Sequence, residues 1–183
     1  LWALEERGLD YEYINPTLRT DSSESDSAKH PSYLELNVQG KVPTLVDGNL
    51  VLTESFAIVN YIARNAPDSD LLPKASTPAY AKLDELTYFI LAELEQPLWS
   101  KGKHMFALPE EVRIPAVRAL DHLLPEIDSE YTIGSSFCIA DLLLAHTFNW
   151  AIRFEFDVPD KYIALRNRHY QRPAAQRAMA GVE

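Results

Sequence analysis

The chain has little cysteine, no long apolar run and few basic residues before its last stretch. Only one of its 183 residues, Cys138, is a cysteine. An internal disulfide framework is therefore excluded, and a reducing compartment is the default expectation. Apolar runs such as residues 142–145 stop far short of the roughly 20 residues that a membrane-spanning helix needs. We therefore expect a soluble, cytoplasmic protein that does not cross a membrane.

The charge balance argues against two classes of partner. Lys and Arg number 17 and Asp and Glu number 27, which gives a formal net charge of −10. Nucleic acids and anionic membranes both require a basic face, so neither is an expected partner. The basic groups concentrate in residues 161–183, which we expect to contact the chain's own acidic remainder or solvent. Four arginines lie there: Arg166, Arg168, Arg172 and Arg177.

The first third of the chain alternates helix and strand signals. Residues 1–7 have the pattern of a helix that Gly8 terminates, and Tyr11–Ile14 alternates like a short strand. A short helix is predicted over about 31–36, followed by strands over 42–46 and 50–53 around the turn Asp47–Asn49. Residues 54–65 return to helical periodicity. The polar stretch 20–29 is expected to be a surface loop.

The remainder of the chain is predicted to be entirely helical. Residues 66–78 contain three prolines and are taken as the boundary, which gives domains at 1–66 and 79–183 with a linker at 67–78. Helices are predicted at about 78–106, 109–129, 138–153, 159–171 and 173–181. Pro97 is expected to kink the first of them. The order of elements suggests an α/β thioredoxin-like half that lacks its first strand, joined to an all-α domain.

Three local motifs sharpen this interpretation. Residues 37–48 read NVQGKVPTLVDG, residues 52–58 read LTESFAI, and residues 137–141 read FCIAD. Together and in this order they resemble the cytosolic glutathione S-transferase family. The resemblance covers the whole chain and implies the glutathione-transferase fold, with glutathione as the co-substrate.

The resemblance also implies a binding site whose parts make physical sense. Pro43 would follow a cis bond, and the backbone of Val42 would pair with the cysteinyl backbone of glutathione. Glu54 and Ser55 stand where a helix begins, and a helix N-terminus attracts a carboxylate. The γ-glutamyl end of glutathione carries a carboxylate and an ammonium group, which suit Ser55 and Glu54. Simple capping by Thr53 or Ser55 is the structural alternative.

Further residues are weaker ligand candidates, and the catalytic residue is not identified. Lys41 is either a ligand for a peptide carboxylate or a surface charge, and Gln39 is a similar candidate. Lys29 or His30 would reach the glycyl carboxylate, with a surface role as the alternative. The resemblance places the thiol-activating Ser, Tyr or Cys upstream of Leu1.

The cysteine in the third motif has a structural interpretation. The family usually has Ser or Thr at the position of Cys138, where it caps a helix together with an Asp three residues later. We expect Asp141 to reach back to the start of the helix, with Phe137 and Leu142 closing a hydrophobic staple. A reactive role for Cys138 is not expected.

The resemblance places the second substrate between the domains, against the first long helix of the all-α part. Six residues there suit an apolar pocket or, equally, core and dimer packing: Tyr88, Leu91, Trp99, His104, Met105 and Phe106. The histidines lack metal-ligand spacing, so no metal is predicted. The resemblance also implies a two-fold homodimer.

The resemblance therefore implies a glutathione transferase, which we expect to be a cytoplasmic detoxification enzyme. The thiolate of bound glutathione would attack a small hydrophobic electrophile, or the enzyme would carry out glutathione-dependent reduction or isomerisation. A non-catalytic scaffold of the same fold, used for protein association, is the alternative from another class. Retention of Glu54 and Ser55 favours the enzyme, since a scaffold needs no carboxylate site.

Overall fold

Two helices lie among the described residues before the first strand, and the first of them ends at a glycine with positive φ. The computed structural model describes residues 1–16, 25–65, 71–96, 119–124 and 130–181. Helix α1 spans Trp2–Arg7 and ends at Gly8, whose φ of 59° is left-handed and whose N–H donates to the carbonyls of Glu5 and Leu4. Helix α2 spans Pro31–Leu34, with the side chain of His30 accepting from the N–H of Ser32. Helix α1 ends at Gly8 as predicted, whereas α2 begins at Pro31 as predicted but ends at Leu34, two residues before the predicted end.

A β-hairpin and a helix follow. Strands β1 (Thr44–Asp47) and β2 (Leu50–Thr53) pair antiparallel, with Thr44 opposite Thr53. Gly48 supplies the left-handed φ of 59° that the tight turn between them requires. Helix α3 spans Ser55–Arg64 and buries Ile58, Ile62 and Ala63.

The predicted strand at Tyr11–Ile14 is wrong for this structure. Within the described residues, that segment has no strand partner, and Tyr13 and Ile14 are 40% and 73% exposed. A strand exists through the backbone hydrogen bonds of a neighbour, so an alternating sequence without one stays irregular.

The helical part opens with a helix that changes its winding. Helix α4 spans Pro78–Phe89, with Thr77 accepting from the N–H of Tyr80, and it continues as a π-helical segment over Ile90–Glu95. The single rod predicted from residue 78 is therefore not uniform in the part that the structure describes. Pro97, whose kink was predicted, lies outside the described residues, as does most of the helix predicted at 109–129. Residues 119–123 of the latter are helical.

Three further helices complete the described fold. They are α5 (Ile139–Arg153), α6 (Asp160–Tyr170) and α7 (Pro173–Ala180), as the sequence predicted within a residue or two. Helix α5 is the centre of the core: ten of its residues are buried, and it packs against α1, α3, α4 and α6. No helix in the described ranges is both long enough and apolar enough to span a bilayer.

The start of α5 is closed by groups of the protein itself. The fully buried carboxylate of Asp141 accepts from the N–H of Cys138 at 2.9 Å and from the N–H of Thr132 at 2.7 Å. The N–H of Ile139 donates to the carbonyl of Leu71 at 3.0 Å. The expectation that Asp141 reaches back to the helix start is confirmed, and burial raises the pKa of the Cys138 thiol to about 12.

Helix α1 docks on the helical part through an aromatic contact. The ring of Trp2 stacks on Phe137 with centroids 5.9 Å apart and meets Tyr170 edge-on at 5.1 Å. Trp2 is only 5% exposed, so α1 is anchored in the common core.

Two arginines of the basic C-terminal stretch join α1 beside this contact. Arg172 binds Glu6 through two hydrogen bonds of 2.7 and 2.8 Å, and its guanidinium lies 3.9 Å above the Phe137 ring. Arg177 donates to Glu5 at 2.6 Å. The prediction that this basic stretch contacts the chain's own acidic residues is confirmed for both side chains.

Candidate functional site

The hairpin register brings the two principal motifs to one end of the β-hairpin. Thr44 pairs with Thr53 at the last position of the ladder. Val42 and Pro43 precede Thr44, and Glu54 and Ser55 follow Thr53. Because antiparallel strands run past one another in opposite directions, both dipeptides leave the ladder at the same end.

The Val42 side of this end lies at the surface, outside the ladder. The Val42–Pro43 bond is cis, as the resemblance implied. Val42 is 42% exposed, and both it and Pro43 lie outside the β1 ladder. An extended peptide can therefore approach the Val42 backbone from solvent and pair with it by strand addition.

The other side of this end is a helix N-terminus without a side-chain cap. Glu54 is the N-cap residue of α3, and no side chain of the described residues accepts from the N–H groups of the first turn. The structural alternative of capping by Thr53 or Ser55 is therefore wrong. Neither hydroxyl accepts a hydrogen bond from the first-turn N–H groups, so these groups and the positive end of the helix dipole are available to an anion. Ser55, the first residue of α3, is half-buried at this position.

Glu54 itself has a strained backbone. Its φ of 72° and ψ of 116° lie in a region that non-glycine residues rarely adopt. Such a conformation costs about 1 to 3 kcal/mol and persists where the surroundings impose it, often at functional sites. Its side chain is exposed and accepts from the amide of Gln39 at 3.3 Å. The carboxylate thus stands at the helix start, held by one partner and open to a cation.

The candidate basic ligands differ in exposure and in whether they already form hydrogen bonds. Lys41 is exposed beside Val42. Lys29 is half-buried, and its ammonium donates to the carbonyls of Gln39 at 3.1 Å and Gly40 at 2.8 Å. The Nδ1 atom of His30 is occupied at the start of α2, 2.7 Å from the hydroxyl of Ser32. Lys29 is thus directed to the backbone of residues 39–41, the site loop, which precedes Val42.

The predicted second-substrate pocket is only partly within the described chain. Tyr88 is 70% exposed on α4 and Leu91 is half-buried in the π-helical segment, so these two residues do not form an enclosed pocket by themselves. Trp99, His104, Met105 and Phe106 lie outside the described residues.

A separate open cavity lies at the end of α1, and none of the predicted site residues lines it. Its volume is about 520 Å³, and Glu5, Tyr11 and Arg177 contribute to its polar wall. In the described ranges, no group of three or more His, Cys, Asp or Glu side chains is arranged to hold a metal ion.

Comparison with known proteins identifies the family. Residues 1–64 match the family model of the glutathione S-transferase N-terminal domain. A glutathione S-transferase of Triticum aestivum is 34% identical over 194 residues, covering 97% of this chain and 84% of the relative. The chain belongs to the glutathione S-transferase family.

Two further relatives of this glutathione S-transferase family member bear on the reaction. A probable maleylacetoacetate isomerase of Caenorhabditis elegans is 30% identical and is covered over 74% of its length by 85% of this chain. The structure of a sphingomonad glutathione S-transferase complexed with glutathione superposes with a TM-score of 0.74 at 27% identity, covering 98% of this chain and 90% of that one.

Sequence reasoning missed two residues that shape the transferase's site loop. The hydroxyl of Tyr33 donates to the carbonyl of Lys41 at 2.7 Å, and the amide of the buried Asn37 donates to the same carbonyl at 2.8 Å. Both also contact the hydroxyl of Thr44, at 2.9 and 3.2 Å. Asn37 lies seven positions before β1, and a polar residue there gives no signal of burial, so only the folded chain reveals these contacts.

Proposed function

We propose that this transferase binds glutathione between the backbone of Val42 and the start of α3. The γ-glutamyl carboxylate would occupy the uncapped N–H groups and the hydroxyl of Ser55, and its ammonium group would pair with Glu54. The backbone of Val42 would bind the cysteinyl part, next to the fixed ring of Pro43. Lys41 and Gln39 would contact the peptide from the loop that precedes Val42.

The observation that carries this proposal is the meeting of two features at one end of the hairpin. The surface residue Val42, outside the ladder, and the uncapped helix start at Ser55 leave the ladder together. Each suits a different part of one extended peptide that has a carboxylate at its end. The strained Glu54 between them adds the negative charge that an α-ammonium group requires.

The reaction we propose is attack of the glutathione thiolate on a small hydrophobic electrophile. The thiol first gives up its proton; its sulfur then forms a bond to the electrophilic carbon while the leaving group departs with the bonding electron pair. Such conjugation fits a role in detoxification.

Glutathione-dependent isomerisation is a second candidate, favoured by the maleylacetoacetate isomerase relative. In that reaction the thiolate adds to a double bond, the new single bond rotates, and elimination returns the thiolate. Chromatography of the products separates the two: conjugation consumes one glutathione per turnover, whereas isomerisation consumes none.

Calorimetric titration with glutathione tests the site. The full-length protein is compared with Ser55→Ala and with Ser135→Ala, which alters an exposed serine ahead of α5. Loss of the Ser55 hydroxyl is expected to raise Kd about tenfold, because one hydrogen bond to a charged group is removed. The Ser135 control is expected to bind like the wild type. Equal affinity of all three proteins would reject this site, and absence of binding by the wild type would favour the scaffold alternative.

We further propose that the protein works as a cytoplasmic homodimer. Exposed apolar side chains on and beside the hairpin would suit a second copy of the chain; they include Leu36, Val38, Val46, Leu50 and Val51. Sedimentation equilibrium of the full-length protein tests the stoichiometry, and cell fractionation tests the compartment.

A further inference from the structure

The carbonyl group of Lys41, which precedes Val42, is held by a small network of hydrogen bonds. The hydroxyl of Tyr33 donates to it at 2.7 Å, and the side-chain amide of Asn37 donates to it at 2.8 Å. The same hydroxyl lies 2.9 Å from Oγ1 of Thr44, and the same amide nitrogen lies 3.2 Å from it. Because Lys41 and Thr44 flank residues 42–43, the network fixes the chain on both sides of them.

The hydrogens of this network are all accounted for. The amide nitrogen of Asn37 carries two hydrogens, one directed to the Lys41 carbonyl and one to the Thr44 hydroxyl. The Thr44 hydroxyl is then free to donate to Tyr33, whose own hydrogen goes to the carbonyl. The amide oxygen of Asn37 accepts from the N–H of Gln39 at 3.1 Å. Asn37 is 4% exposed, so it has no hydrogen left for a ligand and little surface to contact one.

Fixing the Lys41 carbonyl also fixes the direction of the next N–H group. The peptide bond between Lys41 and Val42 is trans. In a planar trans peptide, the C=O and N–H groups point in opposite directions. The carbonyl is turned toward Asn37 and the Tyr33 side chain of α2, so the N–H of Val42 points away from them. Among the described residues, no group accepts a hydrogen bond from this N–H.

We propose that Asn37 and Tyr33 are positioning residues for glutathione binding: by holding the carbonyl of Lys41, they turn the N–H of Val42 toward the cysteinyl carbonyl of glutathione. This inference rests on the glutathione site proposed above. An N–H that is held in its binding direction beforehand favours binding, because the ligand does not have to order the peptide plane. The two side chains act through the backbone and do not contact glutathione.

Two variants remove donors to the carbonyl with little change of shape. Tyr33→Phe removes the hydroxyl of a half-buried ring. Asn37→Asp removes both amide hydrogens but keeps an oxygen for the N–H of Gln39, so the hydrogen bond between Gln39 and Glu54 is retained. Tyr80→Phe is the matched control, because Tyr80 is also half-buried and its hydroxyl accepts from a side chain away from the site.

Calorimetric titration of the full-length proteins with glutathione measures the effect on affinity. Tyr33→Phe is expected to raise Kd about threefold, because one of the two bonds to the carbonyl is lost. Asn37→Asp is expected to raise Kd about tenfold, because a carboxylate replaces a donor and repels the carbonyl oxygen. Tyr80→Phe is expected to bind like the wild type. Melting temperatures are recorded alongside.

Hydrogen exchange followed by NMR gives a readout that a general loss of structure would not produce. In the wild type, saturating glutathione is expected to slow exchange at the amide of Val42 and at the first-turn amides of α3, such as that of Phe56. In Asn37→Asp, also at saturation, the protection of Val42 is expected to fall about tenfold while that of Phe56 persists. Tyr33→Phe should show the same selectivity to a smaller extent.

The outcomes separate positioning from a structural role and from failure of the site. Unchanged Kd values in both variants would overturn the proposal, and so would an equal loss of protection at Val42 and Phe56. If Asn37→Asp fails to fold, Tyr33→Phe decides the matter by the same two measurements. Failure of the wild type to bind glutathione would reject the proposed site together with this inference. Binding that protects Phe56 but leaves Val42 unprotected would overturn this inference alone.

Discussion

The starts of helices α3 and α5 differ in whether the protein itself satisfies their backbone N–H groups. At α5, a buried carboxylate and a distant carbonyl satisfy the backbone, and Cys138 at the N-cap is 2% exposed. At α3, no described side chain caps the first turn, and the N-cap residue Glu54 is exposed and strained. A helix start that is closed by the protein contributes stability, whereas one left open is available to a ligand. Substitutions at the two starts should therefore have separable effects.

The largest expected effect is at the closed start. Asp141→Ala removes the acceptor of two backbone N–H groups, one buried and one partly buried, next to His169, whose Nε2 atom lies 3.5 Å from the carboxylate. We expect a loss of about 3 to 5 kcal/mol in the free energy of unfolding. Urea denaturation measures it, with the exposed Asp157→Ala as the control. A loss below about 1 kcal/mol would show that the closed start is not structural.

A smaller loss of stability is expected at the contact of Arg172 with α1, beside the start of α5. Arg172→Ala leaves the Glu6 carboxylate, 8% exposed, without its two-bond partner and uncovers the Phe137 ring. We expect a cost of about 2 kcal/mol. Arg177→Ala is the matched control, since it breaks the other arginine contact between the same helices with a side chain that is 55% exposed. A thermal melt should show a clearly smaller change for it; equal changes would contradict the role of burial.

At the open start of α3, a substitution should raise stability rather than lower it. Glu54→Gly removes the strained backbone position and the carboxylate together. We expect the free energy of unfolding to rise by up to about 1 kcal/mol. Glutathione binding should weaken at least about tenfold, because the partner of the ammonium group is gone. Denaturation and calorimetry on one preparation measure both quantities; loss of stability with intact binding would reverse the comparison.

The smallest effect is expected at Cys138. Serine at this N-cap would restore a hydroxyl that accepts from the first turn of α5, so Cys138→Ser should hold or raise stability by up to about 1 kcal/mol. A large fall in melting temperature would contradict this. Because the pKa of the buried thiol is raised to about 12, the native thiol should also resist alkylation at pH 8 and react only after unfolding.

Local sequence signals predicted the elements whose boundaries depend on neighbouring residues. Pro31, Pro78 and the turn at Gly48 act within a few positions, and the helices and strands begin or end beside them. The strand expected at Tyr11–Ile14 was wrong because strand formation depends on a partner elsewhere. The π-helical segment at Ile90–Glu95 likewise has no recognised local pattern.

The site was predicted through its motifs, but its internal contacts were not. Val42, Glu54 and Ser55 could be named because each lies beside an element boundary. The backbone of Glu54, and the direction of Lys29 toward two carbonyls, depend on how separate segments meet. Sequence spacing cannot show whether a lysine faces a ligand or the chain itself.

The hydrogen bond between Leu71 and Ile139 also bears on how the protein assembles. The first amide of the central helix is satisfied by a carbonyl from the segment before α4, far away along the sequence. Closing so long a loop is entropically costly, and contacts of this kind tend to form late in folding. Hydrogen exchange at the Ile139 amide is therefore a reporter of whether the two parts of the chain have come together.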